Sequence, residues 1–290
     1  MRILRTIPGV RTALRPARRA DRAIGLVPTM GALHEGHLSL IRAAREETHE
    51  VVVSLFVNPS QFDDADDLAA YPRDEERDTE LAREAGVDIL FAPPPRLMYP
   101  PGFSTQVRVA GPMTETLEGA HRGSDHFHGV TTIVTKLLNI VQPDVAFFGQ
   151  KDAQQALVIR KLVRDLDMDV RIELCPIVRE RDGLALSSRN VRLRGEDRER
   201  ALALRRALTV AEEAAANGER EADAIAHLAR VEMEQLQVEP EYIELVDPED
   251  LAPVKVVRGD TLVAVAARVG EVRLIDNTVI NVDAEVGTLR

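Results

Sequence analysis

The chain of 290 residues contains no tryptophan and one cysteine, and aromatic residues make up 3% of it. With Cys175 alone, no intrachain disulfide can form, and a reducing compartment fits. With 44% hydrophobic residues but few rings, the core must be built from Leu, Val, Ile and Ala. No apolar run approaches the length that crosses a bilayer. Net positive charge is missing too. The formal charge is −11, which argues against a nucleic-acid surface and leaves local basic pockets as the exceptions. Lysine is scarce: among 37 basic residues only Lys136, Lys151, Lys161 and Lys255 are lysines, so a retained lysine marks a place where a compact ammonium is wanted. Residues 1–22 are rich in arginine and poor in acid, as transit peptides are, but Pro8 and Pro16 interrupt any long amphipathic helix there. Neither the dinucleotide fingerprint G-x-G-x-x-G nor the Walker sequence occurs.

What is present centres on residues 24–40, IGLVPTMGALHEGHLSL. The apolar run 24–27 predicts a buried strand, closed by Pro28, which cannot donate a ladder hydrogen bond. Gly31 permits a turn. A helix is expected from Gly36 or His37, with Leu38, Ile41 and Ala44 on its inner face. A strand, a glycine turn and a helix N-terminus make an anion site, because unpaired N–H groups and the helix dipole point outward. His34 and His37 sit there. A polar surface pair is the plainer alternative. Zinc is a rival, but helical zinc motifs space their histidines four apart with Glu beside the first, and no cysteine cluster completes a site.

Along the chain, helices are expected over 37–48, 74–85, 129–142, from Lys151 to about 167, and over 196–216 and 220–236. Strands are expected over 51–57, 87–91, 105–109, 145–148, 170–178, 242–246, 261–267 and 272–275. Residues 63–67 form an acidic, exposed segment, and 93–102 a stiff proline-rich crossing. Alternation of strand and helix predicts an α/β fold. A Rossmann-like, doubly wound parallel sheet fills 1–177, and a smaller α+β domain fills 178–290. Ligands bind at the carboxyl edge of such sheets. Gln61, in the loop after 51–57, is a candidate contact. Gly149, Gln150, Lys151 and Asp152 form a second strand–glycine–helix unit with a cation at its mouth, an ordinary Lys151–Asp152 charge pair being the alternative. Gln155 follows close by. Ser187, Ser188 and Arg189 can bracket phosphate oxygens, or form a plain capped polar loop. Asp78 reads by default as a solvated helix residue.

These segments resemble one family. VPTMGALHEGH looks like the His-x-Gly-His region of the pantothenate synthetases, the ligases that join pantoate to β-alanine. FVNPSQF, YPRD, MYPPGFST, HFHGVTTIV, QPDVAFFGQKDAQQ, DGLALSSRN and RLIDN match that family's segments in order. The resemblance covers nearly the whole chain, whereas His-x-Gly-His alone indicates only the wider nucleotidyl-transferase superfamily.

The resemblance implies ATP-dependent activation of pantoate as an adenylate, followed by attack of β-alanine. It implies that Met30, Gly31, Ala32, Leu33, His34, Glu35, Gly36 and His37 wrap the nucleotide, with His37 as proton donor. Gly149, Gln150, Lys151 and Asp152 hold adenosine and phosphates, Val178 offers a main-chain contact to adenine, and Leu186, Ser187, Ser188 and Arg189 close over the triphosphate from the second domain. Gln61 and Gln155 hold pantoate, and Gln61 also faces β-alanine. Magnesium is bound mainly through ATP oxygens, with Asp78 nearby, and the family is dimeric and cytoplasmic. Two departures stand out. Gln150 replaces the family's Glu, and residues 122–127 are one residue longer than its Arg-Pro-x-His-Phe, so Arg122 is not assigned to the site. A related nucleotidyl transferase, a non-catalytic ATP-binding module and a zinc hydrolase are the rival readings.

Overall fold

The computed structural model describes residues 1–62 and 65–282, so Asp63 and Asp64 of the acidic stretch lie outside the described residues. The chain forms two compact units, one of residues 1–149 and 158–175, the other of 150–157 and 176–290.

The first unit is built on a parallel sheet of six strands: β1 (Arg2–Leu4), β2 (Ile24–Thr29), β3 (Glu50–Leu55), β4 (Ile89–Phe91), β5 (Val145–Gly149) and β6 (Arg171–Cys175). Their order is β1-β4-β3-β2-β5-β6. On one face, Val27, Val51, Val53, Leu90, Val145 and Phe147 pack with Leu40, Ile41 and Ala44 of helix Glu35–Glu47 and with Ala82 of helix Glu75–Glu84. The alternate residues Leu26, Val52, Ile89 and Ala146 are buried on the other face. Helix Ser124–Val141 packs against β2 and against helix Ile7–Arg19. Ile41 is fully buried, so truncation to alanine would cost roughly 2–5 kcal/mol.

The sheet's topology selects one place for a ligand. Connections run outward in one direction from β2 and in the other from β5, so the order switches between them. β2 stays in register with β3 as far as Thr29↔Leu55, but its pairing with β5 ends at Leu26↔Ala146. The two strands therefore part at their carboxyl ends. This explains Pro28, which does not close the strand as expected. The carbonyl of Thr29 accepts from Phe56 on the β3 side at 3.1 Å, so the ring nitrogen of Pro28 faces the opened side, where no ladder donor is required.

Other expectations are corrected. Residues 105–109 are not a strand. The amide of Val107 donates to Thr132 Oγ1 at 3.0 Å and its carbonyl accepts from Thr131 Oγ1 at 2.5 Å, so hydroxyls replace a ladder partner. The helix expected from 129 begins at Ser124. Near the amino end, β1 and helix Ile7–Arg19 form despite two prolines: Pro8 lies in the first turn, where N–H groups have no helical partner, and Pro16 removes only one internal bond.

The second unit carries an antiparallel sheet, β7 (Pro240–Val246), β8 (Asp260–Val269) and β9 (Val272–Asn281), packed by helices Ala203–Ala216 and Ala222–Gln235. Segment 150–157 groups with this unit, and a side chain shows why. Asn277, on β9, donates from Nδ2 to the carbonyls of Gln150 at 2.9 Å and Lys151 at 3.1 Å. No helix among the described residues is long and apolar enough to cross a membrane.

Candidate active site

The loop after β2 enters the switch point and turns into helix Glu35–Glu47. It is held in an uncommon shape. Gly31 has φ +90° and Ala32 has φ 51°, both left-handed. The anchor is Asp78, 1% exposed, whose Oδ2 accepts from the amide of Ala32 at 2.8 Å and whose Oδ1 accepts from Leu33 at 2.7 Å. A Cβ on Gly31 would stand 2.9 Å from Asp78 Oδ2 and 3.0 Å from Leu55 Cδ1, so no other residue fits there without displacement. Asp78 is therefore not a solvated face residue. Both its oxygens serve the loop.

His34 is the N-cap of the helix, one position earlier than expected. Its Nδ1 accepts from the amide of Gly36 at 3.1 Å, and the amide of His34 donates to His37 Nδ1 at 3.4 Å. This is a capping box made with imidazoles. The rings lie with centroids 4.1 Å apart, tilted by 40°. An Nδ1 that accepts carries no proton, so in each neutral ring the proton sits on Nε2. Both histidines stand at a helix N-terminus, a setting suited to phosphate oxygens. Met30, Gly31, Ala32, Leu33, Glu35 and Gly36 occupy this same loop and first turn, and Gly149 ends β5 across the switch point.

Gln61 sits in the 3-10 turn Pro59–Gln61 that follows β3. Sequence reasoning missed its support, Asn58, which is 1% exposed. Asn58 Nδ2 donates to Gln61 Oε1 at 2.9 Å and to the carbonyl of Gly129 at 3.2 Å, while its Oδ1 accepts from Tyr99 at 2.7 Å and Ser60 at 2.9 Å. With its oxygen engaged, Gln61 presents its amide N–H groups. Gly129 lets the turn lie directly on helix Ser124–Val141: a Cβ there would meet the carbonyl oxygen of Ser60 at 2.2 Å. His126 Nδ1 adds a hydrogen bond to the carbonyl of Gln61 at 2.8 Å. The signal legible in the sequence was the FVNPSQF segment itself, in which asparagine precedes a proline turn. Burial pushes the Tyr99 phenol above its ordinary range, and its bond to Ser60 works against that.

In the second unit, Lys151 lies 3.5 Å from Asp152, the charge pair named as the plain alternative. Asn277 fixes their backbone, and Gln150, 6% exposed, turns its Nε2 toward Asn277 Oδ1 at 3.4 Å. The amide at position 150 therefore acts as a donor to β9, which an ionised Glu does not do. Gln155 is half-buried in helix Ala153–Asp165. Val178 and Leu186 are brought together: the amide of Leu186 donates to the carbonyl of Val178 at 2.9 Å, across the turn at 181–183. Behind that turn Arg179 grips buried Asp276 with both guanidinium nitrogens, at 2.7 and 3.0 Å. Ser187 caps the 3-10 turn Ser188–Arg192, accepting from the amide of Arg189 at 3.3 Å, and Ser188 and Arg189 are exposed. Arg122 is tied to Glu118 at 3.0 Å. Among the described residues no cluster of three or more His, Cys, Asp or Glu could hold a metal ion.

Comparison with known proteins identifies the family. The family model described as pantoate–β-alanine ligase matches residues 2–279. The chain is 52% identical over 287 residues to pantothenate synthetase of Moorella thermoacetica, covering 98% of this chain and 100% of that one. It is 50% identical over 284 residues to pantothenate synthetase of Acetivibrio thermocellus, covering 97% of this chain and 100% of that one. Crystalline pantothenate synthetase of Thermus thermophilus superposes with a TM-score of 0.89 at 46% identity, over 96% of this chain and 98% of that one. Pantoate–β-alanine ligase of Francisella tularensis, solved with β,γ-ATP and β-alanine, superposes with a TM-score of 0.78 at 32% identity, over 98% of both chains. Matched by the family model over residues 2–279 and by relatives and a fold over nearly its whole length, the chain belongs to the pantoate–β-alanine ligase (pantothenate synthetase) family.

Proposed function

We propose that the chain condenses pantoate with β-alanine in two steps driven by ATP. In the first, a pantoate carboxylate oxygen attacks the α-phosphorus of ATP, the bond to pyrophosphate breaks, and pantoyl adenylate forms. In the second, the deprotonated amine of β-alanine attacks the acyl carbon, the bond to AMP breaks, and pantothenate leaves after loss of the second amine proton. The observation that carries this reading is the imidazole capping box. It sets two imidazoles at a helix N-terminus, and in this reading they meet the negative charge that grows as pyrophosphate departs.

In this reading His34 and His37 contact the triphosphate, and His37 donates the proton. Loop residues 30–37 wrap the nucleotide. Gly149, Gln150, Lys151 and Asp152 hold adenosine and phosphates, with the Lys151 ammonium on the phosphates. The Val178 main chain meets adenine, and Leu186, Ser187, Ser188 and Arg189 bracket the phosphates. Gln61 and Gln155 hold the hydroxyls of pantoate, and Gln61 also faces β-alanine. The described residues supply no protein cage for magnesium, and the Asp78 oxygens are committed to the loop. Magnesium is accordingly proposed as a partner of ATP held by phosphate oxygens. A cytoplasmic homodimer completes the proposal, from the family resemblance and the single unpaired cysteine.

The test is a pair of half-reactions. Pantoate alone should release pyrophosphate from ATP, and AMP should appear only when β-alanine is added. No pyrophosphate release on folded protein with pantoate and magnesium would overturn the reading and direct attention to phosphorylated acceptors.

A further inference from the structure

We infer that Lys136 is the docking cation for the carboxylate of β-alanine. The inference rests on the proposed function and adds a residue to the same site.

Three of the four lysines answer to ordinary surroundings or to the site already described. Lys151 pairs with Asp152 and Lys161 with Asp165, and Lys255 belongs to the second unit's exposed edge. Lys136 is different. It is half-buried on helix Ser124–Val141, and no hydrogen bond or ion pair joins its ammonium to any described residue. It lies instead over two rings, 4.6 Å from the centroid of Phe103 and 5.9 Å from that of Tyr99. Rings compensate only part of what an ammonium loses on leaving water. Consistently, burial lowers its pKa. An anion is the missing partner, and the described residues do not supply it.

The geometry says where that anion binds. Residues 129 and 136 are two helical turns apart, so Lys136 shares the face on which Gly129 touches Ser60 and Gln61. Helical side chains lean toward the N-terminus, which brings the ammonium back toward that turn. The Tyr99 ring beside the ammonium is the one whose hydroxyl bonds Asn58 and Ser60, and Asn58 holds Gln61. Cation, phenol, asparagine and glutamine form one contiguous wall.

Chemistry separates the two candidate carboxylates. The pantoate carboxylate must attack phosphorus and becomes a neutral acyl group, so a permanent cation on it would blunt the nucleophile. The β-alanine carboxylate stays ionised throughout, while the amine at its other end reacts. A fixed ammonium suits only the second.

The test compares Lys136→Met, which keeps an unbranched apolar stem over the rings, and Lys136→Arg, which keeps the charge. Each is assayed with ATP, pantoate and either β-alanine or β-alaninamide, the counterpart that lacks the carboxylate. In Lys136→Met the KM for β-alanine should rise about 10- to 100-fold, the usual range for one charge-assisted contact. The kcat/KM for β-alaninamide and the KM for pantoate should stay within about threefold, and Lys136→Arg should recover at least part of the loss. Equal losses with β-alanine and β-alaninamide would overturn the inference, as would an unchanged β-alanine KM or a loss falling on pantoate. If unsubstituted protein fails to form AMP on addition of β-alanine, the functional reading itself falls. If it forms AMP and Lys136→Met keeps the normal preference for β-alanine over its amide, only the role of Lys136 falls.

Discussion

Replacing Asp78 with asparagine tests how the nucleotide loop is held. Asp78 is 1% exposed, and its two oxygens accept from Ala32 at 2.8 Å and Leu33 at 2.7 Å. Asparagine has the same shape but one acceptor oxygen, so its NH2 must face one of the two backbone donors. A buried N–H left without an acceptor costs roughly 1–3 kcal/mol, and a charge-assisted bond is lost as well. The backbone adds to the load. Ala32, at φ 51°, occupies a region that costs an alanine roughly 1–2 kcal/mol. With the anchor weakened, the loop relaxes out of that conformation. A change of about 1–3 kcal/mol lowers affinity roughly 5- to 150-fold for a ligand that binds only the anchored form. Calorimetric titration with a non-hydrolysable ATP analogue measures that loss, and circular dichroism checks the fold. The loss should be the same at every magnesium concentration. Unchanged affinity in Asp78→Asn would refute the reasoning, and a loss abolished by saturating magnesium would make Asp78 a metal ligand instead.

Three further outcomes are expected. His37→Ala and Lys151→Ala should each reduce pantoate-dependent pyrophosphate release by roughly 10²-fold or more with the fold intact, and near-normal release in either would remove its role. Asn277→Ala deletes the donors to the carbonyls of Gln150 and Lys151, so hydrogen exchange at 150–152 should accelerate by about tenfold or more; unchanged protection would show that β9 does not hold this segment. Burial, helped by the charge of Glu173, pushes the Cys175 thiol from its ordinary 9.0 up to about 11. Its contribution to stability is complete below pH 9 and is lost as pH rises toward 11, because the unfolded thiol ionises first. Native protein should therefore resist thiol reagents at about pH 8, and Cys175→Ala should flatten the alkaline decline in unfolding free energy. Rapid labelling of folded protein would contradict this.

The sequence made the doubly wound sheet legible because its inner strands are continuous apolar runs, and long helices such as 124–141 show their period plainly. It misled where tertiary partners replace local ones. Residues 105–109 look like a strand, but the amide and carbonyl of Val107 are satisfied by Thr131 and Thr132. Pro28 looks like a stop, yet its nitrogen faces the side where β2 and β5 have separated. The loop 30–37 stood out as a candidate anion site through its glycine and histidines. Its anchor was not, because Asp78 lies on another helix and resembles any acid of a first turn. Asn277 was hidden likewise, since RLIDN carries no sign that its amide reaches Gln150. Side chains that serve a distant backbone leave little local signal.

Gly129 has no functional group, but it sets the seat of one that does. A methyl at 129 would begin 2.2 Å from the Ser60 oxygen and 2.8 Å from the Gln61 α-carbon, so the turn would have to retreat by about 1 Å. A displacement of that size near a reacting group can cost roughly 10²-fold in rate. Side-chain volume at 129 therefore works as a wedge. If Gln61 holds substrate as proposed, alanine and serine at 129 act as graded shims on substrate preference through the position of that turn.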